Sequence, residues 1–185
     1  RRLEVLTSIF NDRMFEILRS KQGASYSPQV ANIWPVDFDN GGYISASSQL
    51  TPENVDRFYN VAELIAKDLR EKPVSEDELK RIVEPLRQLI ARASSGNTFW
   101  MSQLEGASYK PEKFIALRSL LSDYTMITPQ QVQALAQKYL VDSKEWKLVV
   151  LPENISASAS GDYIASSSSN NCSFVGRLLK SPETD

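Results

Sequence analysis

In TPENVDRFYNVAELIAKDLREKPVSEDEL, residues 51–79, one helix runs its full length and a second one starts. Thr51-Pro52-Glu53 is a helix start: a threonine cap, a proline at the first helical position and an acidic residue facing the positive end of the dipole. Val55, Phe58, Ala62, Ile65 and Leu69 follow at spacings of three and four and give one apolar stripe. Pro73 stops that helix. Ser75-Glu76-Asp77-Glu78 then reads as a capping box, in which the serine and the glutamate three residues on each satisfy the other's free backbone donor. The second helix carries Leu79, Ile82, Leu86, Leu89 and Ala93, with a bend expected at Pro85, whose ring removes one backbone hydrogen bond.

Upstream, Leu3, Leu6, Ile9, Phe10, Phe15, Ile17 and Leu18 form a broad apolar face, so Leu3 to Gln22 reads as a helix stopped at Gly23. Ala24 to Trp34 is extended, with Tyr26, Val30 and Trp34 on one face and prolines that suit an edge strand. A second strand spans Tyr43 to Leu50. Between the two lies Asp39-Asn40-Gly41-Gly42, residues that tolerate positive φ, so an antiparallel hairpin is predicted. Downstream, Asn97 to Leu104 and Pro111 to Tyr124 read as short helices, and Thr128-Pro129-Gln130-Gln131 opens a capped helix to Leu140. The apolar run Trp146 to Leu151 reads as a strand inside a sheet rather than at its edge. Regular structure is expected to end at Pro152. The remainder is rich in serine and poor in large apolar groups, so the chain divides into a domain at 1–153 and a flexible tail at 154–185.

This order of elements predicts an α+β fold: a two-layer domain with a mostly antiparallel sheet and helices on one face. Three strands are few for so many helices, and the chain opens with Arg1-Arg2-Leu3 already inside an amphipathic pattern. At least one further strand is therefore expected ahead of Arg1.

Composition narrows the function. The 21 basic and 23 acidic residues leave a formal charge of -2, which does not mark a nucleic-acid or anionic-membrane partner. No stretch approaches the roughly 18 to 20 apolar residues that span a bilayer. The sequence holds no histidine and one cysteine, Cys172. That excludes within this chain a serine or cysteine triad, a histidine-ligated zinc, a histidine general base and an intramolecular disulfide.

The run Leu18-Arg19-Ser20-Lys21-Gln22-Gly23-Ala24-Ser25-Tyr26-Ser27 resembles the signature of the pitrilysin/insulinase (inverzincin) family of zinc metallopeptidases, in which a helix ends in Leu-Arg, then a Gly, then a Tyr entering a strand. Thr51-Pro52-Glu53, Val74 to Leu79, Asn97 to Trp100, Ile127 to Leu140 and Val149-Val150-Leu151-Pro152-Glu153 follow in the family's order. The likeness covers about residues 3 to 153. It implies a processing-peptidase-like fold and a chain or subunit pair of homologous domains around a chamber. Only one such domain carries the His-x-x-Glu-His zinc motif, which this chain lacks. The implied zinc therefore sits in a partner or upstream domain, with peptide as substrate and a periplasmic or otherwise exported location as a family-level expectation.

In the same family a non-catalytic domain near the C-terminal end supplies an Arg and a Tyr seven residues apart to the active site. Arg19 and Tyr26 match that spacing. A guanidinium and a phenol can stabilise the negative charge that develops on a peptide carbonyl oxygen under attack by water. Spacing alone does not separate this from a cation complementing a helix dipole and a tyrosine packing in a strand; the ordered family matches do. The competing class is an inactive assembly domain of the same fold, like the core subunits of respiratory complexes. Phe99 and Trp100 read as core or interdomain packing, Glu76, Asp77 and Glu78 as capping rather than metal ligands, and Asn154-Ile155-Ser156 as a chance glycosylation sequon.

Overall fold

A computed structural model describes residues 1–21, 27–33, 42–152, 164–168 and 172–177, with the backbone alone described at 19–21, 112, 121, 151–152 and beyond. The first helix, α1 (Arg2–Phe15), continues as a π-helical segment, Glu16–Lys21. Then come β1 (Gln29–Ile33), β2 (Tyr43–Ser47), α2 (Val55–Glu71), α3 (Glu76–Ala93), α4 (Asn97–Leu104), α5 (Glu112–Arg118), α6 (Leu120–Thr125), α7 (Pro129–Tyr139), β3 (Lys147–Pro152), β4 (Ile164–Ser168) and β5 (Cys172–Arg177). The fold is α+β, as the element order predicts.

Helix α1 is the centre of the core. Val5, Leu6, Ile9, Met14 and Leu18 lose all solvent exposure as α1 and its extension pack against β1, α2, α3 and α7. Facing them are Phe58, Val61, Ile65 and Leu69 of α2, Leu79 and Val83 of α3, and Val132 and Ala136 of α7. The periodicity locates these stripes with shifts of one position: on α3, Leu89 stays exposed while Ile90 packs against the core. Phe15, placed on the apolar face by spacing, is also exposed.

Arg13 ties the helices together. Its guanidinium donates to Glu78 of α3 at 2.7 and 2.9 Å and to Asp68 of α2 at 2.7 Å. That pairing explains a departure from the predicted capping box. Ser75 Oγ accepts from the Glu78 N–H as foreseen, but the Glu78 carboxylate is held by Arg13, a residue 65 positions away. At α7, Thr128 and Gln131 complete both halves of the box. Thr51 caps no backbone N–H; it accepts from the Asn54 side chain, and Pro52–Asn54 forms a 3-10 turn ahead of α2. The helix expected over 111–124 is broken in two at Ser119, whose hydroxyl binds the Ile115 and Ala116 carbonyls and the Asp123 carboxylate. A serine that bonds its own backbone offers it an alternative to the helix ladder. Helix α3 runs through Pro85.

Both sheets are antiparallel. The predicted hairpin forms, with Gln29 opposite Ser47 and Ile33 opposite Tyr43, although its turn at 39–41 lies outside the described residues. The second sheet has the order β3-β5-β4. It corrects two expectations. Strand β3 pairs with β5 on one side only among the described residues, so it is an edge strand despite its apolar run, and the face that carries Leu148 and Val150 is left 42% and 52% exposed. Regular structure also continues past Pro152, because β4 and β5 lie in the serine-rich stretch. Strand pairing uses backbone groups that every residue except proline offers in full, so a lack of apolar side chains does not forbid it. Strand β3 is also held to α2: Tyr59 Oη donates to the Leu148 carbonyl at 2.8 Å, and Lys147 pairs with Glu63.

Candidate functional site

The residues singled out by the sequence lie where α1 gives way to β1. The helix expected to run to Gln22 changes character at Glu16, and the six residues Glu16–Lys21, Arg19 among them, are π-helical. A π-helix widens each turn from about 3.6 to about 4.4 residues by bonding i to i+5, and short segments of this kind recur at functional sites. Here the wider turn keeps Ile17 packed against the core and Leu18 fully buried at the end of the helix. The Arg19 backbone belongs to this segment; its side chain and all of Tyr26 lie outside what the structure describes.

What it does describe is the frame on either side of them. The Val30 N–H of β1 donates to Asn11 Oδ1 at 2.8 Å, and Asn32 Nδ2 donates to Thr7 Oγ1 at 3.0 Å. Thr7, buried, in turn donates to the Leu3 and Glu4 carbonyls. These bonds fix β1 against α1, so both ends of the connection that contains Arg19 and Tyr26 are set by one helix. One turn before the π-helix, Arg13 anchors that helix to α2 and α3. The two-pronged hydrogen bond that Arg13 donates to Glu78 is the chief reason its pKa is raised, with Asp68 adding to it against the cost of burial.

Beside this corner lies an open groove of about 500 Å³ between α1, β1 and α3. Asn11, Asp12 and Phe15 line it from α1, Val30 and Ala31 from β1, and Ile82 from α3. Asp12 meets Arg81 at 3.4 Å, with both side chains largely in solvent. Sequence reasoning did not bring Asn11, Asp12 and Phe15 together as the lining of one groove. The available signal was the polar triplet Asn11-Asp12-Arg13 inside an otherwise apolar helical run. A second open groove of about 560 Å³ between α2 and β3 is lined by Glu63, Arg70, Asp142, Glu145 and Lys147 among others. Its charges are mostly used internally: Arg70 holds Asp142 and the Leu140 carbonyl, and Lys147 lies between Glu63 and Glu145.

The residues present do not suit a zinc ion. With no histidine and a single cysteine in the sequence, the usual nitrogen and sulfur ligands are missing, and no three acidic or cysteine side chains gather among the described residues. Glu78 engages a cation, and Glu76 and Asp77 sit in the first turn of α3. Phe99 packs against the core and meets Trp100 edge to face, centroids 5.2 Å apart; Trp100 donates to the Ser94 carbonyl at 2.7 Å.

The arrangement is similar to three solved structures. A conserved protein from Enterococcus faecalis V583 matches with 15% identity and a TM-score of 0.64, covering 74% of this chain and 32% of that one. The peptidase M16 inactive domain from Pseudomonas fluorescens matches with 17% identity and a TM-score of 0.60, covering 74% and 34%. The periplasmic protease PqqL from Escherichia coli matches with 14% identity and a TM-score of 0.62, covering 75% and 15%. At these identities the likeness establishes a shared fold alone, and the chain spans about a third or less of each of those proteins. No protein-family model and no curated protein matches the sequence.

Proposed function

We propose that the chain is a non-catalytic, substrate-binding domain of a zinc metalloendopeptidase of the pitrilysin/insulinase type. The observation that carries this is a conjunction: the fold of an M16 inactive domain in a sequence without a single histidine. The zinc and the residues that hold it belong to another domain, on the same polypeptide or a partner subunit. This chain alone is inactive; its substrate is a peptide or an unfolded segment.

The part assigned to this chain is electrostatic. Arg19 and Tyr26 act on the substrate carbonyl, the guanidinium by charge and the phenol by hydrogen bonding, as negative charge grows on its oxygen. Donors fixed in advance cost no reorganisation at that moment, and removing one typically costs about 3 to 4 kcal/mol of transition-state stabilisation. Support comes from the frame: the connection between the two positions is bounded by a π-helix at one end and the Asn11–Val30 bond at the other.

The test is cleavage of a quenched fluorescent peptide by the parent protein, or by this chain with its zinc-bearing partner, comparing wild type with Arg19→Ala and Tyr26→Phe. Turnover falls by roughly tenfold or more in each variant while thermal stability holds. Wild-type turnover in both would leave the domain as an assembly element of the same fold.

A further inference from the structure

We infer that the apolar surface of the helix pair α4 and α5 is a docking face for the part of the parent polypeptide that lies directly ahead of Arg1. This inference rests on the reading of the chain as one domain of a longer protein, and it names where the neighbouring domain sits.

Helix α4 is the element that calls for a partner. It is eight residues long, none of them buried, and its N-cap, Gly96, has no side chain to cap it. Isolated helices shorter than about 12 to 15 residues barely hold in water, and most helical stability comes from the packing of an apolar face. Phe99 packs against the core, but Trp100, Met101 and Leu104 are exposed. The neighbouring helix repeats the pattern: Phe114 and Ile115 of α5, and Tyr109 in the connection, are exposed as well. Six large apolar side chains of one helix pair are thus 39 to 89% exposed. At about 200 Å² each they leave roughly 700 Å² in contact with water. The largest apolar patch of a typical monomer covers about 300 to 600 Å², and a stable interface takes about 800 Å² from each partner.

The pair is nevertheless firmly built. Gly106 takes the left-handed conformation, with φ of 71°, where α4 ends and the chain turns back, and Ala107 beside it is buried. Lys113 Nζ donates to the Glu105 carbonyl at 2.7 Å across the turn, and Trp100 Nε1 is held by the Ser94 carbonyl at 2.7 Å. Exposed apolar groups on a fixed scaffold make a preformed interface, which orders little on binding.

Charge and the position of Arg1 identify the occupant. From 97 to 109 the sequence has a single charged residue, Glu105, so this surface fits an apolar partner rather than a charged segment. Arg1 Nη2 donates to the Ala116 carbonyl of α5 at 3.3 Å, which brings the first residue of the chain to the helix pair. A polypeptide that continues ahead of Arg1 therefore emerges beside the apolar face, and the chain spans about a third or less of the solved proteins that share its fold. A tethered neighbour meets the face at an effective concentration on the order of millimolar, which a free second copy reaches only in concentrated solution.

The experiment compares hydrogen exchange, read by mass spectrometry, in this chain and in the parent protein. In the parent, amides 97–118 exchange roughly tenfold or more slowly than in the chain alone, while α1 amides stay protected in both. Met101→Asp and Ile115→Asp return 97–118 to the fast rate without altering α1, and Met101→Leu keeps the protection. Equal exchange of 97–118 in the two proteins, or protection that survives both aspartate substitutions, overturns the inference. A photo-crosslinking amino acid at position 101 of the parent identifies the occupant. Attachment to residues ahead of Arg1 supports the inference; attachment beyond residue 185 or to a second molecule overturns it. The catalytic reading fails separately: wild-type turnover in Arg19→Ala and Tyr26→Phe leaves the protection of 97–118 untouched, whereas unprotected 97–118 in a parent that loses turnover in those variants removes the docking face alone.

Discussion

The surroundings of α1 and of β3 are built on opposite terms. Around α1, residues from four other elements close over Leu6, Ile9, Met14 and Leu18, and the charge of Arg13 is matched by two carboxylates. Around β3, Leu148 and Val150 stay half exposed, the neighbouring strands come from a serine-rich stretch, and the ties to α2 are a tyrosine hydroxyl and a lysine. The same apolar residue types thus have different weights. An aliphatic side chain contributes in proportion to the area that its neighbours remove from water, and a hydrophobic run in sequence does not by itself guarantee such neighbours.

The sharpest way to break this comparison is to truncate one aliphatic residue in each region. Ile9→Ala leaves a cavity in a packed helix and costs about 2 to 5 kcal/mol, whereas Leu148→Ala removes a half-exposed side chain and costs under about 1 kcal/mol. Urea unfolding of the two variants measures both. Similar losses would mean that β3 is as much a part of the core as α1.

A smaller effect is expected at Arg13. Breaking a fully buried ion pair costs about 3 to 5 kcal/mol, and the guanidinium here keeps 20% of its side-chain exposure, so Arg13→Ala should lose about 2 kcal/mol. The loss would also release Glu78 toward the Ser75 N–H that a complete capping box would engage. Glu78→Gln in the Arg13→Ala background should then cost much less than Glu78→Gln alone, and a double-mutant cycle by urea unfolding reads the difference. Additive losses would deny that the two side chains act together.

These same residues show how far the sequence could be read. Ser75 to Glu78 and Thr128 to Gln131 carry equivalent local signals, yet only the second forms a complete box. Local patterns state what a residue can bond to; Arg13, distant in sequence and adjacent in space, decides what Glu78 does bond to. The helices, the hairpin and most core positions were legible because periodicity reports a buried face directly. The π-helical end of α1, the break at Ser119 and the edge position of β3 were not, since each depends on tertiary neighbours or on a hydroxyl's choice between partners. For the candidate site, Arg19 and Tyr26 came from resemblance, and the groove at Asp12 was invisible until α1, β1 and α3 were brought together.

The smallest effect should come from removing residues 154–185. Strands β4 and β5 meet the rest of the chain chiefly through the backbone ladder from Lys147–Arg177 to Pro152–Cys172, while Tyr59 and Lys147 hold β3 to α2 independently of it. Ending the chain at 153 leaves the α1 cluster and the Arg13 hub untouched, so helical circular dichroism should persist, with stability within about 1 kcal/mol of the full chain. The exposed edge left on β3 would show instead as self-association, because an unpaired apolar strand is a template for pairing with another chain. Sedimentation of the shortened chain separates the possibilities. A stable monomer means that the helices and β3 form a complete unit. A stable oligomer means that β5 protects an edge without holding the fold together. Loss of the helical signal would mean that the serine-rich strands are part of the core after all, and that the contrast between the surroundings of α1 and β3 is one of degree.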